Sequence, residues 1–101
     1  MAFQRVGALA DIPPCGVTEM MAGDRPLALC FVDGGLHVIE GTCPHRGGSI
    51  GFGALHGTTV VCPWHGWEFD CTTGRSTFSE RVQLRKFEAK IESGEILVDV
   101  D

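Results

Sequence analysis

The sequence predicts an all-β protein, an antiparallel β-sandwich that carries a loop-rich insertion in its middle third. Asp33-Gly34 separates two apolar runs, which is a strong hairpin signal, and Ser93-Gly94 separates a second pair in the same way. No capped helical pattern of useful length occurs along the chain. Eight of the fourteen glycines fall between Gly41 and Gly74, a composition that favours tight loops over regular structure.

The strands that precede the glycine-rich segment form the first part of the predicted sandwich. Phe3 to Leu9 is the first strand, and Val17 to Met21 is a short second one. Leu27 to Val32 is a continuous apolar run, as expected of a strand that is buried on both faces. The Asp33 turn joins this run to a further strand at Leu36 to Glu40.

The strands that follow the segment complete the sandwich. Val82 to Ile91 is expected to pair with Glu95 to Val100 across the second hairpin turn. The apolar residues change parity along the first of these runs, which predicts a β-bulge near Arg85 and Lys86.

The segment itself is expected to hold only short strands, at Thr58 to Val61 and Trp67 to Asp70. A chain of 101 residues is enough for one domain. We therefore predict a single domain over residues 1–101. It consists of a basal sandwich at 1–40 and 76–101 and a loop-rich insertion at 41–75.

Composition and charge exclude several classes of function. Eight basic and thirteen acidic residues give a net charge of −5 at pH 7, which argues against nucleic-acid binding and favours basic partners. The longest apolar run, Leu27 to Val32, is too short to span a bilayer, and no secretion signal is visible. The five cysteines are an odd number, so they cannot form a complete disulfide framework within the chain.

Two short motifs inside the segment carry the predicted chemistry, Cys43-Pro44-His45 and Cys62-Pro63-Trp64-His65. Each motif offers one thiolate and one imidazole, so the two loops together supply two sulfur and two nitrogen ligands. A structural zinc site is one interpretation, although common zinc spacings place both cysteines before both histidines. The alternating order favours a two-iron cluster in which the cysteines hold one iron and the histidines hold the other.

The chain resembles the Rieske 2Fe–2S proteins. Cys43-Pro44-His45-Arg46-Gly47-Gly48 and the run from Cys62 to Asp70 look like the two halves of the Rieske motif. Small Rieske ferredoxins also share this length and this strand–insertion–strand plan. The resemblance implies one cluster whose inner iron is held by the two cysteines and whose outer iron is held by the two histidines. The residues it places around these ligands are Gly48, Trp64, Gly66 and Trp67.

Departures from the Rieske proteins of respiratory cytochrome bc complexes bear on the expected reduction potential. Those proteins have a disulfide at the positions that correspond to Gly48 and Trp64, so that bond cannot form here. They also have a serine and a tyrosine that donate hydrogen bonds to sulfur, where this chain has Trp67 and Phe69. Since Phe69 cannot donate, we expect a potential toward the low end of the Rieske range, roughly −150 mV.

A third loop covers the cluster in many related proteins and usually contains proline. The corresponding run here, residues 76–80, lacks proline, and Phe78 is the candidate shield. His56 has no cysteine nearby and is not expected to be a ligand. Of the remaining cysteines, Cys15 is expected to be exposed, Cys30 to lie in the core and Cys71 to pack near the cluster. Three reduced thiols favour a cytoplasmic setting.

The resemblance implies that the protein is a one-electron carrier and not an enzyme. Its expected partners are a flavin-dependent ferredoxin reductase and a terminal oxygenase of the aromatic-ring-hydroxylating type, with the carrier itself monomeric. Nucleic acid and membrane are not expected partners. The small subunit of an assimilatory nitrite reductase is an alternative within the electron-transfer class. A structural zinc-binding interaction module is the alternative from another class.

Overall fold

The computed structural model describes residues 3–44, 47–64 and 66–100. These residues form ten β-strands and two short 3-10 helices, and no α-helix occurs among them. The strands belong to three antiparallel sheets. This arrangement confirms the predicted all-β class.

The first sheet joins the two ends of the chain. It consists of β1 (Phe3–Ala8), β10 (Glu95–Asp99) and β9 (Ala89–Glu92), with β10 in the centre. The predicted Ser93-Gly94 hairpin connects β9 to β10. Both Ser93 and Gly94 have positive φ angles, of 51° and 78°, as this type of tight turn requires.

The second sheet has the order β2-β3-β4-β8, with β2 at Val17–Ala22, β3 at Arg25–Val32, β4 at Gly35–Glu40 and β8 at Lys86–Phe87. Strand β3 is covered on both faces, as its continuous apolar run predicts. Leu27 and Leu29 pack into the core beneath the first sheet, whereas Ala28 and Cys30 pack into a second core. All four residues are 0% exposed.

The third sheet lies entirely within the predicted insertion. It consists of β5 (Ala54–His56), β6 (Thr59–Val61) and β7 (Glu68–Asp70), with β6 in the centre. Strands β6 and β7 occur where short strands are expected, and β5 is an addition. Strand β5 escapes prediction because it has only three residues and depends on pairing with β6, whose Val60 lies opposite Leu55.

The predicted bulge near Arg85 and Lys86 is wrong. The run that contains them is divided at Glu88, because β8 pairs with β4 in the second sheet and β9 pairs with β10 in the first. The N–H of Asp99 donates to the carbonyl of Glu88 at 2.9 Å, which anchors this crossing. The change of parity therefore reflects a change of sheet and not an extra residue in one strand.

Two cores result from this layering. The core between the first and second sheets contains Phe87, Ile96 and Val98 together with the leucines of β3. The core between the second and third sheets contains Ile50, Val60 and Phe69 together with four of the five cysteines. No helix within the described ranges is long and apolar enough to cross a membrane.

Candidate metal centre

Each of the two cysteine loops is closed by a backbone hydrogen bond between corresponding residues. The N–H of Cys43 donates to the carbonyl of Gly48 at 2.8 Å, and the N–H of Cys62 donates to the carbonyl of Trp67 at 2.7 Å. Each of these bonds spans five residues, so each loop curls back onto its own cysteine.

A glycine occupies the same place in both loops, four residues after the cysteine. Gly47 has a φ of 72° and Gly66 has a φ of 76°, a conformation that residues with a side chain rarely adopt. This conformation explains why glycine occurs at these two positions of the motifs. The two glycines lie inside the two turns that bring the N–H of each cysteine to the carbonyl five residues later.

The thiols of Cys43 and Cys62 are buried and close to one another. Each residue is 1% exposed, and both are free thiols. Burial raises the pKa of the Cys62 thiol, and the neighbouring Cys43 raises it further, while the backbone N–H of Trp64 opposes them. That N–H lies 3.4 Å from Cys62 Sγ. Two adjacent buried thiolates are unfavourable unless a cation neutralises them, so this donor set fits an iron–sulfur or zinc centre.

The two loops come into close contact at Gly48. A Cβ atom at this position would lie 2.1 Å from Cδ1 of Trp64 and 3.0 Å from Sγ of Cys62. Gly48 and Trp64 are therefore neighbours across the two loops, as the resemblance implies for the positions that carry a disulfide in respiratory proteins. Here the indole ring of Trp64 packs directly against the backbone of Gly48, which has no side chain.

The two histidine ligands predicted from the sequence, His45 and His65, lie outside the described residues, as does Arg46. The structure thus places the two predicted sulfur ligands. His56 is exposed at the end of β5, where it pairs with Thr59 in the hairpin.

Trp67 and Phe78 cover one side of the loops. Trp67 is half-buried and packs against the core that contains both cysteines. The ring of Phe78 meets the Trp67 ring edge-on, with centroids 4.7 Å apart and an interplanar angle of 63°. The third loop is closed by Ser76, whose hydroxyl donates to the carbonyl of Ser79 at 2.6 Å. It therefore holds its shape without proline.

Among the other cysteines, Cys15 is exposed and Cys30 is buried, as expected. Cys71 lies in the same core as Cys43 and Cys62. Its nearest sulfur neighbour in the described structure is Cys30, at 2.7 Å. Sequence reasoning missed this pair, because the two residues are 41 positions apart and no local motif connects them.

The fold and the two cysteine loops define an all-β protein whose inserted segment brings two buried, free thiols together, a donor set suited to a metal centre. Comparison with known proteins agrees, since residues 2–88 match the family described as the Rieske [2Fe-2S] domain. Ferredoxin CarAc of Metapseudomonas resinovorans is 33% identical over 93% of this chain and 90% of its own length. The ferredoxin component of biphenyl 2,3-dioxygenase from Rhodococcus jostii (strain RHA1) is 28% identical over 100% of this chain and 95% of its own length.

A solved structure shows the same similarity. A chain from the complex of reduced oxygenase and oxidised ferredoxin in carbazole 1,9a-dioxygenase superposes with a TM-score of 0.80 and 33% identity. The match covers 95% of this chain and 91% of that chain.

The chain belongs to the Rieske [2Fe-2S] domain family. It carries one Rieske-type 2Fe–2S cluster, which decides against the zinc module. Because its relatives of similar length are named ferredoxins or ferredoxin components, it is an electron carrier and not itself an enzyme. The resemblance read from the two motifs is thereby confirmed.

Proposed function

We propose that this protein passes single electrons from a flavin-dependent ferredoxin reductase to a terminal oxygenase of the aromatic-ring-hydroxylating type, in the cytoplasm and as a monomer. The observation that carries the proposal is its similarity, over almost its whole length, to ferredoxin components of dioxygenase systems. The solved complex of an oxygenase with its ferredoxin supports the same direction of transfer.

The proposed ligands are Cys43 and Cys62 on one iron and His45 and His65 on the other. When bound, the cluster supplies a site that gains and loses one electron. The buried thiolates of Cys43 and Cys62 would hold it, and the hydrogen bond that closes each loop on its cysteine would help to fix each sulfur. The proposed surroundings are Gly48, Trp64, Gly66 and Trp67. The proposed cluster-binding insertion, residues 41–75, contains all of these residues and the third sheet, and the basal sandwich is 1–40 with 76–101.

Exposed aromatic side chains supply the proposed contact surface for the oxygenase. Trp64, in the second cysteine loop, is 56% exposed, and Phe78, in the third loop, is 51% exposed. Aromatic residues of this kind often dominate the binding energy of an interface. Their exposure supports a contact role for Trp64, whose sequence context leaves packing and contact equally open. The net charge of −5 complements a basic patch on the partner.

The proposal predicts rapid electron transfer to an oxygenase. The reduced protein is mixed in a stopped-flow instrument with the oxygenase of biphenyl 2,3-dioxygenase or carbazole 1,9a-dioxygenase, and reoxidation of the cluster is followed by visible absorption. We expect Trp64→Ala to slow this step by about 30-fold, as for loss of an interface hot spot of about 2 kcal/mol. The rate is also expected to fall as salt increases.

Phe52→Ala is the matched control, because Phe52 is also an exposed aromatic residue, at 68% exposure, but belongs to the 3-10 helix Ile50–Phe52, which packs against β2 and β3. A sirohaem nitrite reductase is the alternative electron acceptor. Transfer to that reductase together with none to either oxygenase would contradict the proposed partner and favour the nitrite reductase subunit.

A redox titration tests the proposed environment of the cluster. Phe69 is 0% exposed in the core beside the cysteines and has no group that donates a hydrogen bond. We expect a midpoint near the low end of the Rieske range, roughly −150 mV, because donors to sulfur stabilise the reduced cluster. Phe69→Tyr is expected to raise the midpoint, whereas Phe52→Tyr leaves it unchanged. A clearly positive midpoint in the unmodified protein would contradict this account.

A further inference from the structure

We propose that Cys30 and Cys71 are an oxidisable thiol pair that forms an intramolecular disulfide, with hydrogen peroxide as the oxidant. The disulfide would join the second sheet to the third, because Cys30 lies in β3 and Cys71 comes directly after β7. Neither residue takes part in the proposed ligand set, and the inference does not depend on the identity of the oxygenase.

The geometry brings the two sulfurs into direct contact. Sγ of Cys30 and Sγ of Cys71 lie 2.7 Å apart and share a hydrogen bond, compared with about 2.05 Å for a covalent S–S bond. Both residues are 0% exposed. Only a small shift of the sulfurs separates the dithiol from the disulfide.

The backbone on each side is anchored, so the pair does not meet by chance. Cys30 lies in the middle of the second sheet, opposite Val17 on β2 and His37 on β4. The N–H of Cys71 donates to the carbonyl of Thr58 at 2.8 Å. The turn that follows Cys71 is closed by Thr72, whose N–H and hydroxyl both donate to Asp70 Oδ1, at 2.8 and 2.6 Å.

The two thiols have different acidities, which gives each of them a role. The hydrogen bond between the two thiols lowers the pKa of Cys71 and raises the pKa of Cys30. Burial raises the pKa of both thiols, so it adds to the effect of the hydrogen bond at Cys30 and opposes that effect at Cys71. Cys71 is therefore the thiol that ionises first and attacks the oxidant, since the thiolate is the nucleophile.

The reaction proceeds in two steps. The Cys71 thiolate attacks one oxygen of hydrogen peroxide, the O–O bond breaks, and hydroxide leaves and takes up the proton that Cys71 released. The sulfur of Cys30 then attacks the sulfenic sulfur of Cys71, the S–O bond breaks, and water leaves with the Cys30 proton. Two thiols and one hydrogen peroxide give one disulfide and two waters, and the protein loses two electrons.

Burial determines which oxidant reacts. Hydrogen peroxide is close to water in size, whereas glutathione disulfide is too large to reach thiols that are fully covered. The exposed Cys15 has no such preference, because both reagents reach it. Selective reaction with the small oxidant is thus a signature of the buried pair.

The position of the cross-link gives it a consequence. The chain between Cys30 and Cys71 contains both cysteine motifs and therefore all four proposed cluster ligands. A disulfide at the two ends of this segment restricts the conformations available when the segment opens. We expect the oxidised protein to lose its cluster more slowly than the reduced protein does.

The cluster-loaded Cys15→Ser protein, which lacks the exposed thiol, is treated with an equimolar amount of hydrogen peroxide. It is then digested under non-reducing conditions with a protease that cleaves after glutamate. This cleavage places Cys30 in residues 20–40 and Cys71 in residues 69–80, and it leaves Cys43 and Cys62 together in residues 41–68. We expect the peptide with Cys30 to be linked to the peptide with Cys71, with a mass two hydrogens below the sum of the two peptide masses. Dithiothreitol is expected to separate them. An equal amount of glutathione disulfide is expected to give at least tenfold less of this product.

Oxidation of either cysteine without the linked peptide, or a linked product that involves another cysteine instead, would overturn the proposal. Cluster loss on heating, followed by visible absorption, supplies the second measurement. Peroxide treatment is expected to slow the loss severalfold in Cys15→Ser and not to slow it in Cys15→Ser/Cys30→Ala. Equal rates of loss from the linked and reduced forms of Cys15→Ser would overturn the stabilising role.

Discussion

Cys43→Ser is expected to abolish the normal cluster. Cys43 is 1% exposed, lies beside Cys62 and is held by its own turn, so no other thiol can take its place without rebuilding the loop. The hydroxyl of serine does not ionise at neutral pH as the thiol does when it binds iron. The measurements are iron content, the visible spectrum, and the rhombic electron paramagnetic resonance signal that reduced Rieske clusters give. His65→Ala is expected to have the same effect.

Two matched variants serve as controls for the ligand assignment. Cys15→Ser removes a cysteine that is exposed and outside the insertion, and His56→Ala removes a histidine at the exposed end of β5. Both are expected to keep full iron content and an unchanged spectrum. Loss of the cluster in His56→Ala, or its survival unchanged in Cys43→Ser, would overturn the proposed ligand set.

Loss of the cluster is also expected to loosen the chain locally. The described residues of the segment from Gly41 to Gly74 are mostly loop, and their strands have three residues each, so we expect this segment to depend on its metal more than the flanking sheets do. Amide hydrogen exchange in Cys43→Ser is therefore expected to accelerate within this segment, while β3 and β10 retain their protection. Uniform acceleration throughout the chain would show that the cluster stabilises the whole fold instead.

Phe69→Ala is expected to be the most destabilising substitution among the aromatic residues of the insertion. Phe69 is 0% exposed on β7, pairs with Val60 of β6 and packs into the core that contains Cys43 and Cys62, the two proposed cysteine ligands. Truncation of a buried phenylalanine costs about 3–5 kcal/mol of unfolding free energy, because it removes apolar contacts and leaves a cavity. For a domain of this size the melting temperature should fall by more than about 10 °C, measured by circular dichroism of the cluster-loaded protein.

Phe52→Ala provides the comparison for this effect. Phe52 is the same residue type in the same insertion, but it is 68% exposed. Its truncation is expected to change stability by less than about 0.5 kcal/mol. Equal effects of the two substitutions would show that the second core does not support the third sheet as the structure indicates.

Local features of the sequence were sufficient to predict much of this protein. Each of the two Cys-Pro motifs places its predicted ligands within a few residues, so the chemistry of the site can be predicted from the sequence alone. Both hairpin turns were predicted for the same reason, since Asp33-Gly34 and Ser93-Gly94 carry their conformational preference in adjacent residues. The apolar run of β3 indicated burial on two faces, because a strand with no polar alternation has no solvent face.

Other features depend on residues that are distant in sequence, and only the tertiary structure decided them. The division of the last run at Glu88 depends on which sheet each half joins, and strand β5 depends on its partner β6. The contact between Cys30 and Cys71 depends on two sheets that stack with these side chains facing each other. Periodicity along a chain reports which face of a strand is buried, but it does not identify the residue on the opposite side of the core. The sequence by itself therefore determined the cluster and the class of fold, and the packing of the sheets determined what surrounds the cluster.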